Sequence, residues 1–287
     1  MVFVPAFLDP QHLLAFLREV ARASAWLVLI TLLFLPLERL FAIRPRKFFR
    51  RSLTQDLSYY FINALVPGLL LATPLYFVAL GAHYVVPWRV QTAIAAWPLW
   101  ERVAVGFVVG EIGFYWGHRW CHQIPFLWRF HSIHHSAEEV YYLVSARAHP
   151  LDNVFIRLSG LIPACILGVA SPLTPTGSIV PVLIILVTTT WGFFIHSNLR
   201  VRLGPFEWLL ATPAFHHWHH THSDHKDHNY ASMLPVMDWV FGTFYLPAKW
   251  PSAYGTETPV APGLVDQLLD PMMPPAKQLA EQRSSVS

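Results

Sequence analysis

From about Leu57 to Val86 the chain is an almost unbroken apolar run, long enough to cross a bilayer with a tilt or with a kink at Pro67 or Pro74. A crossing needs about 20 mostly apolar residues. Similar runs fall at about Ser24–Ile43, ending near Glu38 and Arg39, and at about Trp100–Trp120, which contains Glu111. Two more, about Val154–Ala170 and Ile179–Ile195, are joined by the proline-rich turn "SPLTPTGS" and read as a hairpin into or through the membrane. Composition agrees. Charged residues make up 13% and apolar residues 54%, whereas a soluble domain carries roughly 25% charged residues. That leaves too little polar surface to clothe a water-soluble particle, so the chain reads as an integral membrane protein. The first run follows an amphipathic stretch with Arg18, Glu19 and Arg22 and lacks a small-residue cleavage site, so it is not a signal peptide.

The densest basic stretch, "RPRKFFRR" at residues 44–51, separates the first two runs. The positive-inside rule places it in the cytoplasm. Counting crossings forward then brings His118 and His122, the two ends of the hairpin and everything after Gly204 to that same face. The net charge is only +3, with the basic residues beside apolar runs, which argues against nucleic acid as a partner. Cys121 and Cys165 form no disulfide framework: one lies beside histidines, the other in an apolar run. The expected organisation is an N-terminal amphipathic segment (1–23), a membrane-embedded domain (24–270, with its motifs in 105–245) and a disordered polar tail (271–287).

Histidines carry the chemistry. "FHHWHHTHSDHKDH", residues 215–228, is half histidine. "HRWCH" sets His118 and His122 at i and i+4, on one helix face. "HSIHH" gives His131, His134 and His135, and "HHWHH" gives His216, His219 and His220. Clusters of one grammar are not explained by packing. Imidazoles with few carboxylates suit zinc, copper, iron or nickel rather than calcium or magnesium. Zinc takes three or four protein ligands, so eight imidazoles imply two metals. Arg119 and Ser132 stand where a zinc protease needs its glutamate, which excludes that class. A metal-transport protein is the alternative, but transporters place ligands near the membrane midplane, and these histidines gather at one face.

The same residues resemble the fatty acid hydroxylase/sterol desaturase superfamily. "HRWCH", "HSIHH" and "HHWHH" match its HX3H, HX2HH and HX2HH boxes, and "EIGFYWGHRWCH", "FFIHSNL" and "NYASMLPVMDWVFGTF" extend the likeness over roughly residues 105–245. The spacing around "GPFEWLLATP" and "DHNYA" is similar to the alkylglycerol monooxygenase branch and to bacterial sterol desaturase-like proteins. The resemblance implies a di-iron enzyme, with zinc able to replace iron on purification, that uses O2 and two electrons to hydroxylate or desaturate a sterol, fatty acyl chain, ether lipid or carotenoid. It implies a separate electron donor of the ferredoxin, cytochrome b5 or reductase type. It also implies an inner-membrane or endoplasmic-reticulum location with the boxes facing the cytoplasm.

The implied ligands are His118, His122, His131, His134, His135, His196, His216, His219 and His220, with His149 in "RAHP" a weaker match. His217 falls off the shared face, and His222, His225 and His228 depart from the pattern and read as a solvated loop. Groups that accept the second ring N–H should fix each imidazole. Glu111, two turns before His118, is the first candidate, and a buried salt bridge with Arg157 is its bland alternative. Asp152, Asp224, Asp227 and Asp238 are others, Asp238 with a capping or pairing role. The expected fold is all-α: four or five transmembrane helices under a cytoplasmic cap of histidine-bearing helices that holds the two metals.

Overall fold

A computed structural model describes residues 10–47, 50, 52–173, 177, 179–223 and 225–273. Asp224 and most of the expected C-terminal tail lie outside the described residues. The described residues form no strand; the only pairings of that kind are isolated bridges, Ala42 with Leu199 and Thr221 with Tyr254.

The long helices are α1 (Pro10–Leu40), α2 (Leu53–Val85), α4 (Leu99–Gln123), α6 (Pro150–Ile166) and α7 (Ile179–His196), with a short α3 (Trp88–Ala95) before α4. Helix α1 runs unbroken through residue 23, joining the amphipathic stretch to the first apolar run. Leu32 and Leu69 are 68% and 78% exposed, an arrangement suited to lipid and not to water. Among the described residues, three helices (α1, α2, α7) are long and apolar enough to cross a membrane. A fourth crossing is reached if α3 and α4, bent by 118°, count as one. The expected count is therefore met only at its lower end. Helix α6 falls outside this set: it starts at Pro150 after the His149 cap but ends at Ile166, giving 17 residues that include Asp152 and Arg157.

Close packing of α4 on α6 sets the register of the bundle. Gly106, Gly110, Gly113 and Gly117 recur at helical spacing along α4, the small-residue pattern that lets membrane helices approach. A Cβ at Gly113 would collide with the Ser159 carbonyl, and one at Gly117 with the Ser159 hydroxyl. Gly110 meets Gly160 from the same side.

One end of the bundle carries the polar structure. It holds the C-termini of α1, α4 and α7, the N-termini of α2 and α6, and the short helices α5 (Pro125–His135), α8 (Pro213–His219), α9 (Val236–Val240) and α10 (Leu264–Leu269). Buried Asp56 of α2 accepts from Arg147 Nη1 at 3.0 Å and from the Tyr141 hydroxyl at 2.6 Å. Arg147 also donates to the Ile133 carbonyl and to the Ser136 hydroxyl, so its charge is both paired and hydrogen-bonded, the condition under which burial is tolerated. The basic stretch lies at this end too: Ile43 N–H donates to the Asn198 carbonyl just after α7, and Arg44 reaches the Pro251 and Ser252 carbonyls.

Candidate metal centre

Nine histidines converge at this end in two groups. One joins His118 and His122 of α4, His131 and His135 of α5, and His219 of α8. The other joins His134 of α5, His196 at the end of α7, His216 of α8 and His220 just beyond it. Within each group the potential donor atoms lie within 4.8 Å of one another. The groups adjoin, with the His135 and His220 rings stacked at 4.5 Å. The i, i+4 pairs supply this local geometry: α4, α5 and α8 each present a helical stripe of imidazoles to a common centre.

Hydrogen bonds fix how the rings point. The Nδ1–H of His118 donates to the Tyr230 carbonyl at 2.7 Å, and that of His134 to the Arg147 carbonyl at 2.9 Å. His196 donates likewise to Gly192 O at 2.7 Å, and His219 to His228 O at 2.8 Å. His131 Nδ1 lies 3.0 Å from Asp152 Oδ2, and His122 Nδ1 lies 3.1 Å from Asp227 Oδ1. Carbonyls and carboxylates accept only, so in each ring the proton sits on Nδ1 and Nε2 keeps a bare lone pair.

Those lone pairs face one another. His118 Nε2 and His131 Nε2 are 3.1 Å apart, and His134 Nε2 and His196 Nε2 are 3.2 Å apart. With both protons committed elsewhere, such contacts repel unless a cation lies between them. The separations suit two nitrogens bound to one metal at about 2.0–2.1 Å. The Nε2 atoms of His122, His135 and His219 are buried with no hydrogen-bond partner, a state that is costly unless something else binds them. Burial pushes His134 down to about 4, and it holds His135, His216, His219 and His220 well below the usual histidine range, aided by neighbouring imidazoles. They stay neutral, the form that binds metal. The residues present fit two metal ions.

The structure separates these nine from the other histidines. His149 is not brought into either group: its Nδ1 caps α6 by accepting from Leu151 N–H, and its Nε2 donates to the Leu268 carbonyl. His217 is fully buried but turned away, bonded to the Tyr254 hydroxyl and the Ser197 carbonyl. His225 stacks on Tyr245 with ring centres 4.0 Å apart, and His222 is exposed.

Glu111 departs from expectation. It contacts neither an imidazole nor Arg157; its Oε2 accepts the backbone N–H groups of Met233 and Leu234, at 2.8 and 3.0 Å. Asp238 accepts from the N–H groups of Tyr230 and Ala231 and from the Thr243 hydroxyl, while burial raises it to about 6. The two carboxylates thus hold one segment, residues 230–234, whose Tyr230 carbonyl orients His118. Asp152 and Asp227 are the carboxylates that meet an imidazole directly, at His131 and His122, and Asp152 also accepts from the Cys121 thiol at 3.5 Å. The orienting carbonyls of Gly192, Arg147 and Tyr230 are backbone groups and leave no mark in the sequence.

A cavity of about 180 Å³ adjoins both groups. His118, His131, His134, His196 and His216 form its polar end, and α4, α6 and α7 line it as far as Phe107 and Ile184. Phe107 is eleven residues before His118, about 16 Å along the helix. The cavity therefore runs from the histidines into the apolar depth of the bundle.

A membrane-length helical bundle with paired histidine groups at one end and an apolar cavity between its helices defines a class of integral membrane metal-binding protein. Residues 103–243 match the fatty acid hydroxylase family and form a domain of that family. An ornithine lipid hydroxylase from Rhizobium tropici is 34% identical over 61% of this chain and 51% of its own length. An alkylglycerol monooxygenase from Xenopus tropicalis is 31% identical over 62% of this chain and 38% of its own. A methylsterol monooxygenase from Arabidopsis thaliana is 29% identical over 51% of this chain and 54% of its own. The chain thus spans about half the length, or less, of these relatives. No solved structure matches.

Proposed function

We propose that the protein is a membrane-bound di-iron oxygenase that uses O2 and two electrons to hydroxylate, or desaturate, an unactivated C–H of a membrane lipid. One observation carries this reading: two all-imidazole groups, with lone pairs converging, close the polar end of a cavity otherwise walled by apolar helices. The relatives named as lipid hydroxylases and monooxygenases support it. His118, His122, His131, His135 and His219 would hold one iron, and His134, His196, His216 and His220 the other. Bound there, the irons supply the redox chemistry that activates O2 and cleaves the C–H bond.

The chain's own residues do the rest. Asp152 and the carbonyls of Tyr230, Arg147, Gly192 and His228 hold the Nδ1 protons, so each Nε2 is ready as a ligand. Glu111 and Asp238 keep the Tyr230 carbonyl in place. Phe107, Phe114, Ile156, Ile184 and Ile195 line the cavity, hold the lipid chain and keep water away from the oxidised carbon. The two electrons come from a separate donor protein. The histidine end faces the cytoplasm, because the basic stretch shares that end. Purified protein loaded with iron, given an electron donor, membrane lipids and labelled dioxygen, should yield a lipid carrying one labelled oxygen or a new double bond. A metal-loaded protein that oxidises no lipid in a total extract overturns the reading.

A further inference from the structure

Arg157 lies on α6 and lines the cavity together with His118, His131, His134 and His196. Among the described residues it has no hydrogen bond, ion pair or ring contact. The buried arginines elsewhere in the bundle are spent, Arg147 on Asp56 and Arg102 on the Val169 carbonyl, whereas Arg157 is half-buried in the cavity wall. The two carboxylates on the cavity wall are committed elsewhere, Glu111 to the N–H groups of Met233 and Leu234 and Asp152 to His131. A guanidinium facing the interior of a membrane bundle is expensive, and its usual justification is an anionic partner. Here the described residues provide none.

The level of Arg157 follows from the helix crossing. Ser159 lies against Gly113 and Gly117 of α4, and Arg157 is two residues nearer the histidine end of α6. Asp152, bonded to His131, is five residues further on, about 7.5 Å along the axis. The backbone at Arg157 therefore lies between the histidine groups and the far end of the cavity that its side chain lines.

We propose that Arg157 binds the anionic group of the lipid substrate, a carboxylate or a phosphate, and so places a carbon near the head-group end of the lipid at the metal centre. This rests on the lipid-oxygenase reading and adds the substrate class to it. A guanidinium offers a planar fork of donors that matches either oxyanion. The apolar wall from Phe107 to Ile184 then takes the hydrocarbon chain.

The test compares probes that differ only in charge. Metal-loaded protein in neutral-lipid nanodiscs is titrated with oleate, with methyl oleate, with dioleoyl phosphatidate and with inorganic phosphate, and binding is read by native mass spectrometry. Oleate and phosphatidate should bind at least about tenfold more tightly than methyl oleate, as expected for a charge-assisted hydrogen bond in a buried site. Arg157→Gln should erase that preference with both metals retained, and Arg157→Lys should keep part of it. Equal binding of oleate and methyl oleate by the unaltered protein overturns the proposal, as does a preference that survives Arg157→Gln. Displacement of oleate by inorganic phosphate alone would show a free-anion site and overturn the lipid assignment. Selective binding of oleate by a protein that oxidises no lipid would refute the oxygenase reading and leave the anion subsite standing.

Discussion

Asp152 Oδ2 accepts the Nδ1 proton of His131 at 3.0 Å, and both side chains are almost wholly buried. The opposite nitrogen of the same ring meets His118 Nε2 at 3.1 Å. One carboxylate on α6 thus determines which face of a histidine on α5 is free to bind metal with a histidine on α4. The same relation, with a backbone carbonyl in place of the carboxylate, recurs at His118, His134, His196 and His219.

Replacing Asp152 by asparagine should weaken metal binding about 10–100-fold, the usual effect of losing the acceptor behind a ligating imidazole. Metal titration monitored by competition with a chelator reads this directly. An unchanged affinity would mean that the ring is oriented by something other than Asp152.

Metal content should separate ligands from bystanders within residues 215–228. The intact chain should hold two irons, and zinc in their place needs the same histidines. His216→Ala, His219→Ala and His220→Ala should each lose about one metal and essentially all oxidation. His217→Ala and His225→Ala should keep near-normal metal, because the first is bonded to Tyr254 and Ser197 and the second stacks on Tyr245. Loss of a metal in the His225 variant would enlarge the site.

Acid should both release the metals and weaken the fold. His134 is pushed down to about 4 by burial, against about 6.5 in an unfolded chain. The unfolded state therefore binds more protons than the folded state between these values, and stability falls as pH drops through that window. His135, His216, His219 and His220 are shifted the same way. Thermal unfolding of metal-free protein in detergent should be flat from pH 8 to about 7 and should decline steadily from about 6.5 toward 4. A midpoint independent of pH in that range would show that these imidazoles are not buried.

Removing the Asp56 carboxylate should cost stability, because it leaves the buried Arg147 unpaired. Breaking such a pair costs roughly 3–5 kcal/mol. Asp56→Ala should lower the denaturation midpoint and weaken metal binding in the His134 group, since the Arg147 carbonyl orients His134. A destabilised variant with both metals held at full affinity would uncouple the two roles.

The basic stretch and the histidines should label from one side. Both native cysteines are buried, so Lys47→Cys and Ser223→Cys can be tagged without background. An impermeant maleimide should reach both from the cytoplasmic face only. Labelling from opposite faces would break the topology.

Sequence alone determined the elements whose information is local. Runs of membrane length specify helices because backbone groups in lipid must bond within their own segment. Histidines at i and i+4 lie together because one helical turn places them so, which is why the boxes at 118–122, 131–135 and 216–220 were legible. His149 and His217 show where that ends. His149 is near the second box and His217 lies inside the third, yet one caps α6 and the other bonds to Tyr254 and Ser197. Nor does the sequence assign the nine converging histidines to two groups, pair Glu111 with the backbone of Met233, or show that Arg157 lines the cavity with no partner among the described residues. These outcomes depend on how α4, α5, α6, α7 and α8 cross, which brings the Tyr230 carbonyl, 112 residues away in the chain, to within hydrogen-bond distance of the His118 imidazole. A hydrogen bond is decided by distance in space, and for residues so far apart in sequence only the tertiary packing sets it.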